Sequence, residues 1–279
     1  MPGSRLPIRL LAVDLDGTIL GPAGVSEGVA SALHDAMAAG VTVVPATGRM
    51  YRSTVRIAVP LGLDGPAICY QGALIRALPR SGDGRGEILD HRPLPRRTTI
   101  AAIDWARRHG LDPHVNVNDE LVMEVGDEGA EDYERHLGVA ARFVPDLRAA
   151  VTTPVTKVLA VGPPGLPEAL LPAARAAFPR RAQVTVSHPE YLEWTARGVH
   201  KGAAVRRVAR RLRVPLRQTM AIGDQHNDLE MLALAGHGVA MGGAPAEVRS
   251  TARYVTARFE DDGAALAIEA LVLGRGSLD

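Results

Sequence analysis

Two carboxylates, Asp14 and Asp16, stand two residues apart at the end of a short apolar run, followed by Gly17 and Thr18. Carboxylates so spaced can share a cation, and one of them can serve as a nucleophile. Gly17 lets the backbone turn sharply and approach an anion. Read alone, the pattern also fits a strand-ending Asp-Gly turn. Pro45-Ala46-Thr47-Gly48-Arg49 follows another apolar run. A hydroxyl beside the amides that open a helix suits a phosphate, though Thr-Gly is equally a helix cap. Lys201 opens a third segment, Gly198-Val199-His200-Lys201-Gly202, and is one of only two lysines, with Lys157, among 32 Lys+Arg residues. In a chain that uses Arg so freely, a retained lysine suits a task that needs a compact point charge, such as a phosphoryl oxygen. Arg206, Arg207, Arg210 and Arg211 on the same stretch fit a solvated basic face. The fourth cluster is Gly223-Asp224-Gln225-His226-Asn227-Asp228. On a helix, Asp224 and Asp228 turn toward one region. A few hard carboxylate oxygens with water suit Mg²⁺, while acids at a helix start also answer the helix dipole.

The elements that must position these residues read as α/β. Ile8 to Val13, Val41 to Val44 and Pro66 to Tyr70 are short, nearly continuous apolar runs, as in strands buried on both faces of a parallel sheet. Between them lie a helix capped by Ser26 and running to about Ala39, and a second helix over Arg49 to Val59. Near residue 79 the texture changes to a Gly/Pro-rich turn. Beyond it the patterns predict helices at 96–109, 128–137 and 166–177, and strands near 87–91, 113–117, 120–125, 155–161 and 183–187. The parallel pattern then resumes, with a helix from Lys201 to Leu212, a strand from Thr219 to Ile222, a helix over 225–234 and a strand from Gly238 to Met241. The expectation is a Rossmann-like parallel-sheet core, residues 1–80 and 190–279, interrupted by an α/β unit over 81–189. Linkers near 79–86 and 187–190 would be its hinges. Each of the four clusters falls at the carboxyl end of a core strand or the start of a core helix, where open α/β sheets bind ligands.

That conjunction resembles the haloacid dehalogenase superfamily of phosphohydrolases. Asp14-Leu15-Asp16-Gly17-Thr18 is similar to its nucleophile motif, Thr47 to its second, Lys201 to its third, and Gly223-Asp224 with Asn227-Asp228 to its fourth. The insert between the second and third motifs resembles the type IIB cap of the Cof-like subfamily. Tyr191-Leu192-Glu193, Ala240-Met241-Gly242 and Asp262-Gly263 also resemble that subfamily's core. Three positions depart from it: Gln71 and Gly243 stand where Asn is usual, and Arg258-Phe259-Glu260 replaces a segment that often carries Asn. The resemblance implies a phosphatase acting on a small phosphorylated metabolite, such as a sugar phosphate, through an aspartyl-phosphate. Asp14 would be the nucleophile and Asp16 the acid and base. Thr47, Gly48, Lys201 and Asn227 would contact the phosphoryl group. Asp14, Asp16 (through its backbone carbonyl), Asp224 and Asp228 would surround Mg²⁺, with Asp228 one layer out.

Alternatives share parts of this pattern. The core motifs alone do not separate phosphatases for sucrose phosphate or mannosyl-phosphoglycerate from others. A phosphate-sensing aspartyl switch also uses Asp, Thr and Lys, but has no use for a second acid or a large lid. A non-catalytic phosphometabolite-binding protein would not need all four motifs. In the insert, His114, Asn116, Asn118 and Arg142 are candidates to read a substrate. Lys157 either reaches a substrate anion across the cleft or guards a sheet edge. His200 and His226 are scattered, and the ligand set is oxygen-rich, which disfavours zinc.

Composition narrows the classes. The 279 residues carry a formal net charge of +1, and aromatics are 4%. A balanced charge and few stacking rings argue against a nucleic-acid surface. No run approaches the length of a membrane helix, and the start leads into a strand rather than a signal peptide. Cys69, the single cysteine, reads as a small buried hydrophobe. The expectation is a cytoplasmic monomer or homodimer that binds neither nucleic acid nor membrane.

Overall fold

The structure is a computed structural model and describes residues 7–79, 85–126 and 140–278. The expected helix at 128–137 lies outside the described residues. The core sheet has five parallel strands in the order β14-β13-β12-β1-β2. They are β1 Leu10–Val13, β2 Thr42–Pro45, β12 Thr219–Gly223, β13 His237–Ala240 and β14 Tyr254–Val255. Alternation along β1 sends Leu11 and Val13 to one face and Leu10 and Ala12 to the other. The first pair packs with Val29 and Leu33 of α1 (Glu27–Ala38) and Ile268 of α9 (Gly263–Leu271). The second packs with Val205 and Val208 of α6 (Lys201–Arg211) and Met231 of α7 (Leu229–Leu234). Both faces are therefore covered, and this is why the strands read as continuous apolar runs. Ser26 caps α1, its hydroxyl accepting from the Val29 amide at 3.1 Å. Cys69 is buried as expected, and burial pushes its thiol up to about 12.

Beyond β2 the chain forms a short helix α2 (Tyr51–Ala58) and an antiparallel sheet of β3 (Pro66–Cys69), β4 (Leu74–Ala77) and β5 (Ile88–His91). The inserted unit is a six-stranded sheet in the order β10-β11-β9-β6-β7-β8. Its strands are β6 Asp112–Val117, β7 Glu120–Glu124, β8 Ala141–Val144, β9 Val155–Val161, β10 Ala182–His188 and β11 Tyr191–Ala196. Helices α3 (Arg96–Arg108), α4 (Leu147–Ala150) and α5 (Leu166–Ala177) accompany it. Its own core gathers around Trp194, which meets Trp105 and Phe178 edge-on at 5.7 and 5.9 Å between ring centroids.

Two strands sit across the expected boundaries. Residues 88–91 pair with β4 on the core side, and residues 191–196 pair with β9 and β10 in the inserted sheet. The expected hinge at 79–86, of which 80–84 lie outside the described residues, thus falls in chain order between β4 and β5, and 187–190 turns β10 into β11. The chain crosses instead at 92–95 and 197–200. Gly/Pro-rich composition signals a turn but does not say whether the turn joins two domains or two strands of one. Among the described residues, no helix is long and apolar enough to cross a membrane.

Candidate active site

The carboxyl ends of β1, β2 and β12 and the start of α6 converge on one buried group. Asp14 follows β1 directly, its amide donating to the Ile222 carbonyl of β12 at 3.0 Å. Its Oδ1 accepts from the Leu15 amide at 2.7 Å and lies 2.8 Å from Lys201 Nζ. Lys201 is fully buried and reaches Asp228 Oδ1 at 2.7 Å as well. Asp228 Oδ2 accepts from the backbone amides of Asp224 and Gln225 at 3.0 and 3.1 Å. Thr18 donates to Asp224 Oδ1 at 2.9 Å. Gly17 adopts φ +74°, and a Cβ there would lie 2.5 Å from Asp224 Oδ2, so only glycine allows this approach.

One ammonium thus faces three carboxylates. Burial, followed by the charge of Asp228, holds the Asp14 carboxyl well above its ordinary range against the pull of Lys201. Burial and Asp228 push Asp224 up to about 6. Burial would lower Lys201, but Asp14 and Asp228 outweigh it and keep the ammonium protonated. An oxygen from each of Asp14, Asp224 and Asp228 lies within 4.8 Å of the others. Hard oxygen donors with too little positive charge between them fit a divalent cation such as Mg²⁺. Protons compete with a cation for such carboxylates. Added Mg²⁺ is therefore expected to raise the melting temperature more at neutral pH than below the value of about 6 at which Asp224 takes up a proton. Thermal melts across pH with Mg²⁺ or chelator check this; an increment that ignores pH contradicts it.

Asp16 lies apart from this cluster. Its half-exposed side chain is gripped by Arg49, with Nε to Oδ2 at 2.8 Å and Nη2 to Oδ1 at 2.6 Å. Thr47 Oγ1 accepts from the Arg49 amide at 3.1 Å. Asp14, Asp16, Thr47, Gly48, Lys201, Asp224 and Asn227 all line one cavity of about 820 Å³ between the core and the inserted sheet. Asp228 is sealed behind it. Where a helix over 225–234 was expected, a 3-10 turn at His226–Asp228 precedes α7. That turn still returns the Asp228 carboxylate to the Asp224 amide.

His114, Asn116, Asn118 and Arg142 do not reach the cavity. His114 is buried beside Asp112, and Arg142 pairs with Glu120 at 3.4 Å. His200 caps α6, its Nδ1 accepting from the Ala203 amide, and His226 faces Glu247. A Cβ at Gly243 would meet only Arg258 Nε at 3.9 Å, so no close contact demands glycine where the subfamily has Asn. Lys157 is not a sheet-edge residue: β11 and β6 flank β9, and the side chain is buried at the cavity. Nothing in the sequence marked Arg49, Gln71 or Glu193 as its companions there, although Glu193 lies in a segment that resembles the subfamily. A second cross-contact comes from Asp119 in the β6–β7 turn, whose Oδ1 accepts from the Tyr51 amide at 2.9 Å and the Tyr70 hydroxyl at 2.7 Å.

Known proteins resemble this chain along most of its length. The family described as haloacid dehalogenase-like hydrolase matches residues 11–268. Phosphatase YwpJ of Bacillus subtilis is 28% identical over 284 residues, covering 92% of this chain and 98% of its own. The HMP-PP phosphatase of Serratia proteamaculans is 30% identical over 243 residues, covering 87% and 86%. The crystal structure of a haloacid dehalogenase-like hydrolase from Bacteroides thetaiotaomicron superposes with a TM-score of 0.82 at 28% identity, over 94% of this chain and 99% of that one. With the four motifs gathered at one cavity and the match running through both core and insert, the chain belongs to the haloacid dehalogenase-like hydrolase family and is one of its phosphatases.

Proposed function

We propose that the chain hydrolyses small phosphomonoesters, sugar phosphates or similar metabolites, through an aspartyl-phosphate on Asp14 with Mg²⁺ as cofactor. The observation that carries this reading is the buried Asp14–Lys201–Asp228–Asp224 cluster at the floor of the cavity. With Oδ1 of Asp14 engaged by Leu15 and Lys201, Oδ2 is the oxygen without a partner among the described residues. Oδ2 attacks phosphorus, and the bond to the ester oxygen breaks as Asp16 delivers a proton to the departing alkoxide. Asp16 then takes a proton from water as that water attacks phosphorus and frees Asp14. The Arg49 fork that now holds Asp16 can grip a phosphoryl group in the same two-bond geometry; its transfer to the substrate would release Asp16 for proton transfer. Thr47, the Gly48 backbone, Lys201 and Asn227 surround the phosphoryl oxygens, where charge spreads in the transition state. Asp14, the Asp16 carbonyl and Asp224 would hold Mg²⁺, with Asp228 one layer out, and the ion would offset repulsion between nucleophile and phosphate. Across the cavity, Arg175, Gln183, Thr185 and Ser187 of the inserted unit offer polar groups to a hydroxyl-bearing leaving group.

Phosphate release from a phosphomonoester panel, with Mg²⁺ and with chelator, tests this. Steady Mg²⁺-dependent release from at least one ester is expected. No release from any ester, or full release under chelation, contradicts it. A long-lived phosphoenzyme without release would point to a phosphate-sensing switch instead.

A further inference from the structure

A second buried polar chain crosses from the inserted unit into the core. Lys157 on β9 and Glu193 on β11 pair at 2.7 Å, both almost fully buried. Lys157 Nζ also donates to the Gly48 carbonyl at 3.1 Å. Gln71 Nε2 donates to Glu193 Oε2 at 3.1 Å, and Gln71 Oε1 accepts from Asn227 Nδ2 at 3.1 Å. The chain therefore runs Lys157–Glu193–Gln71–Asn227. One end rests on the Thr47–Gly48 loop and the other on the fourth motif.

Its direction is fixed chemically. A carboxylate only accepts, so Glu193 turns the Gln71 amide with its NH₂ toward the insert and its carbonyl toward Asn227. That carbonyl in turn fixes Asn227 with its NH₂ inward, leaving one N–H for a phosphoryl oxygen and a buried Oδ1 without a partner. Reversing either amide would set two acceptors face to face. The backbone is also bent to this purpose. Tyr70 and Gln71 adopt φ +53° and +59°, which residues with a Cβ avoid. Asn tolerates this region better than Gln, yet Gln stands here, and its extra methylene lets one amide span Glu193 and Asn227. Gly48 completes the fit, because a Cβ there would lie 2.5 Å from Gln71 Nε2. A buried ion pair is a poor source of stability compared with apolar packing, so its place between two motifs calls for another explanation.

We propose that Lys157, Glu193 and Gln71 are positioning residues, a relay through which docking of the inserted unit seats the Thr47–Gly48 loop and orients Asn227 for turnover. The kinetic arm of its test rests on the phosphatase reading; the exchange arm does not. The variants are Gln71→Leu, the neutral pair Lys157→Met with Glu193→Leu, and the combination of all three. Gln71→Asn is a fourth, keeping the amide but not its reach. Gln71→Leu is expected to lower kcat about tenfold or more, the scale of one hydrogen bond to a charged group, with KM moving far less. Gln71→Asn behaves alike. In the neutral-pair background Gln71→Leu adds little, because the relay is already broken. Amide hydrogen exchange of the segment around Gly48 accelerates in the neutral-pair variant, while that of β1 does not. A kcat within about twofold of wild type in Gln71→Leu, or an equal fall in both backgrounds, overturns the relay. Unchanged exchange around Gly48 also overturns it. Absence of turnover in the wild type with every ester would instead sink the phosphatase reading, and the exchange result would still decide the relay.

Discussion

Asp14→Asn is expected to fold normally and to lose phosphomonoester hydrolysis by about 10³-fold or more, the scale of removing an essential nucleophile. Asparagine keeps the shape of the side chain and can still accept from the Leu15 amide and Lys201 through its carbonyl. It cannot attack phosphorus. The substitution also removes a carboxyl whose ionisation is opposed by burial and by Asp228 and Asp224. Without Mg²⁺ the variant should therefore melt no lower than wild type, which separates loss of chemistry from loss of fold. Activity against the best ester of the panel, with melts beside it, checks both parts. A variant that keeps most of the activity shows that Asp14 is not the nucleophile.

Lys201→Met is expected to damage both stability and turnover. Among the described residues Lys201 is the one cation between Asp14 and Asp228, and both carboxylates are buried. Removing one partner of a buried ionic group typically costs about 3–5 kcal/mol, a large share of an ordinary domain's stability of about 5–15 kcal/mol. Urea unfolding of the chelated protein measures it. Adding Asp228→Asn to Lys201→Met should restore much of the stability and none of the activity, because the repulsion is eased while the phosphoryl contact stays lost. Lys201→Arg keeps the charge, but its planar fork must fit a fully buried space shaped around a compact ammonium. It should also lose substantial activity. Full activity in Lys201→Arg, or unchanged stability in Lys201→Met, would contradict the role given to Lys201.

The difference between what could be read in the chain and what could not follows the range of the interactions. Asp14, Thr47 and Asp224 were legible because Asp14 and Asp224 directly follow, and Thr47 stands two residues past, a strand buried on both faces, and a doubly wound sheet collects such positions at one edge. Lys201 was legible because lysine is scarce in this chain. The inserted unit was legible as a change of periodicity, with α5 and β9 found where the patterns place them. Its borders were not. The Gly/Pro-rich stretch after residue 79 reads the same in sequence whichever sheet its flanking strands join, and only the pairing of β5 with β4 assigns those strands to the core side. Glu193 was unreadable for a related reason. Its companionship with Lys157 depends on β11 lying between β9 and β10, a register set by tertiary pairing of distant segments. Gln71 was visible only as a departure from a familiar Asn, and its purpose appears once Glu193 and Asn227 stand on either side of it.

In the proposed reaction phosphate passes through Asp14. Quenching the enzyme during turnover of a phosphomonoester with Mg²⁺, reducing with borohydride and sequencing the peptides by mass spectrometry tests it most directly. Borohydride converts an aspartyl-phosphate to homoserine and leaves a free carboxylate untouched. Homoserine is expected at position 14 only, dependent on both ester and Mg²⁺ and absent from Asp14→Asn. Homoserine at Asp16 or Asp224 in its place, or an unmodified Asp14 in an enzyme that is turning over, would contradict it.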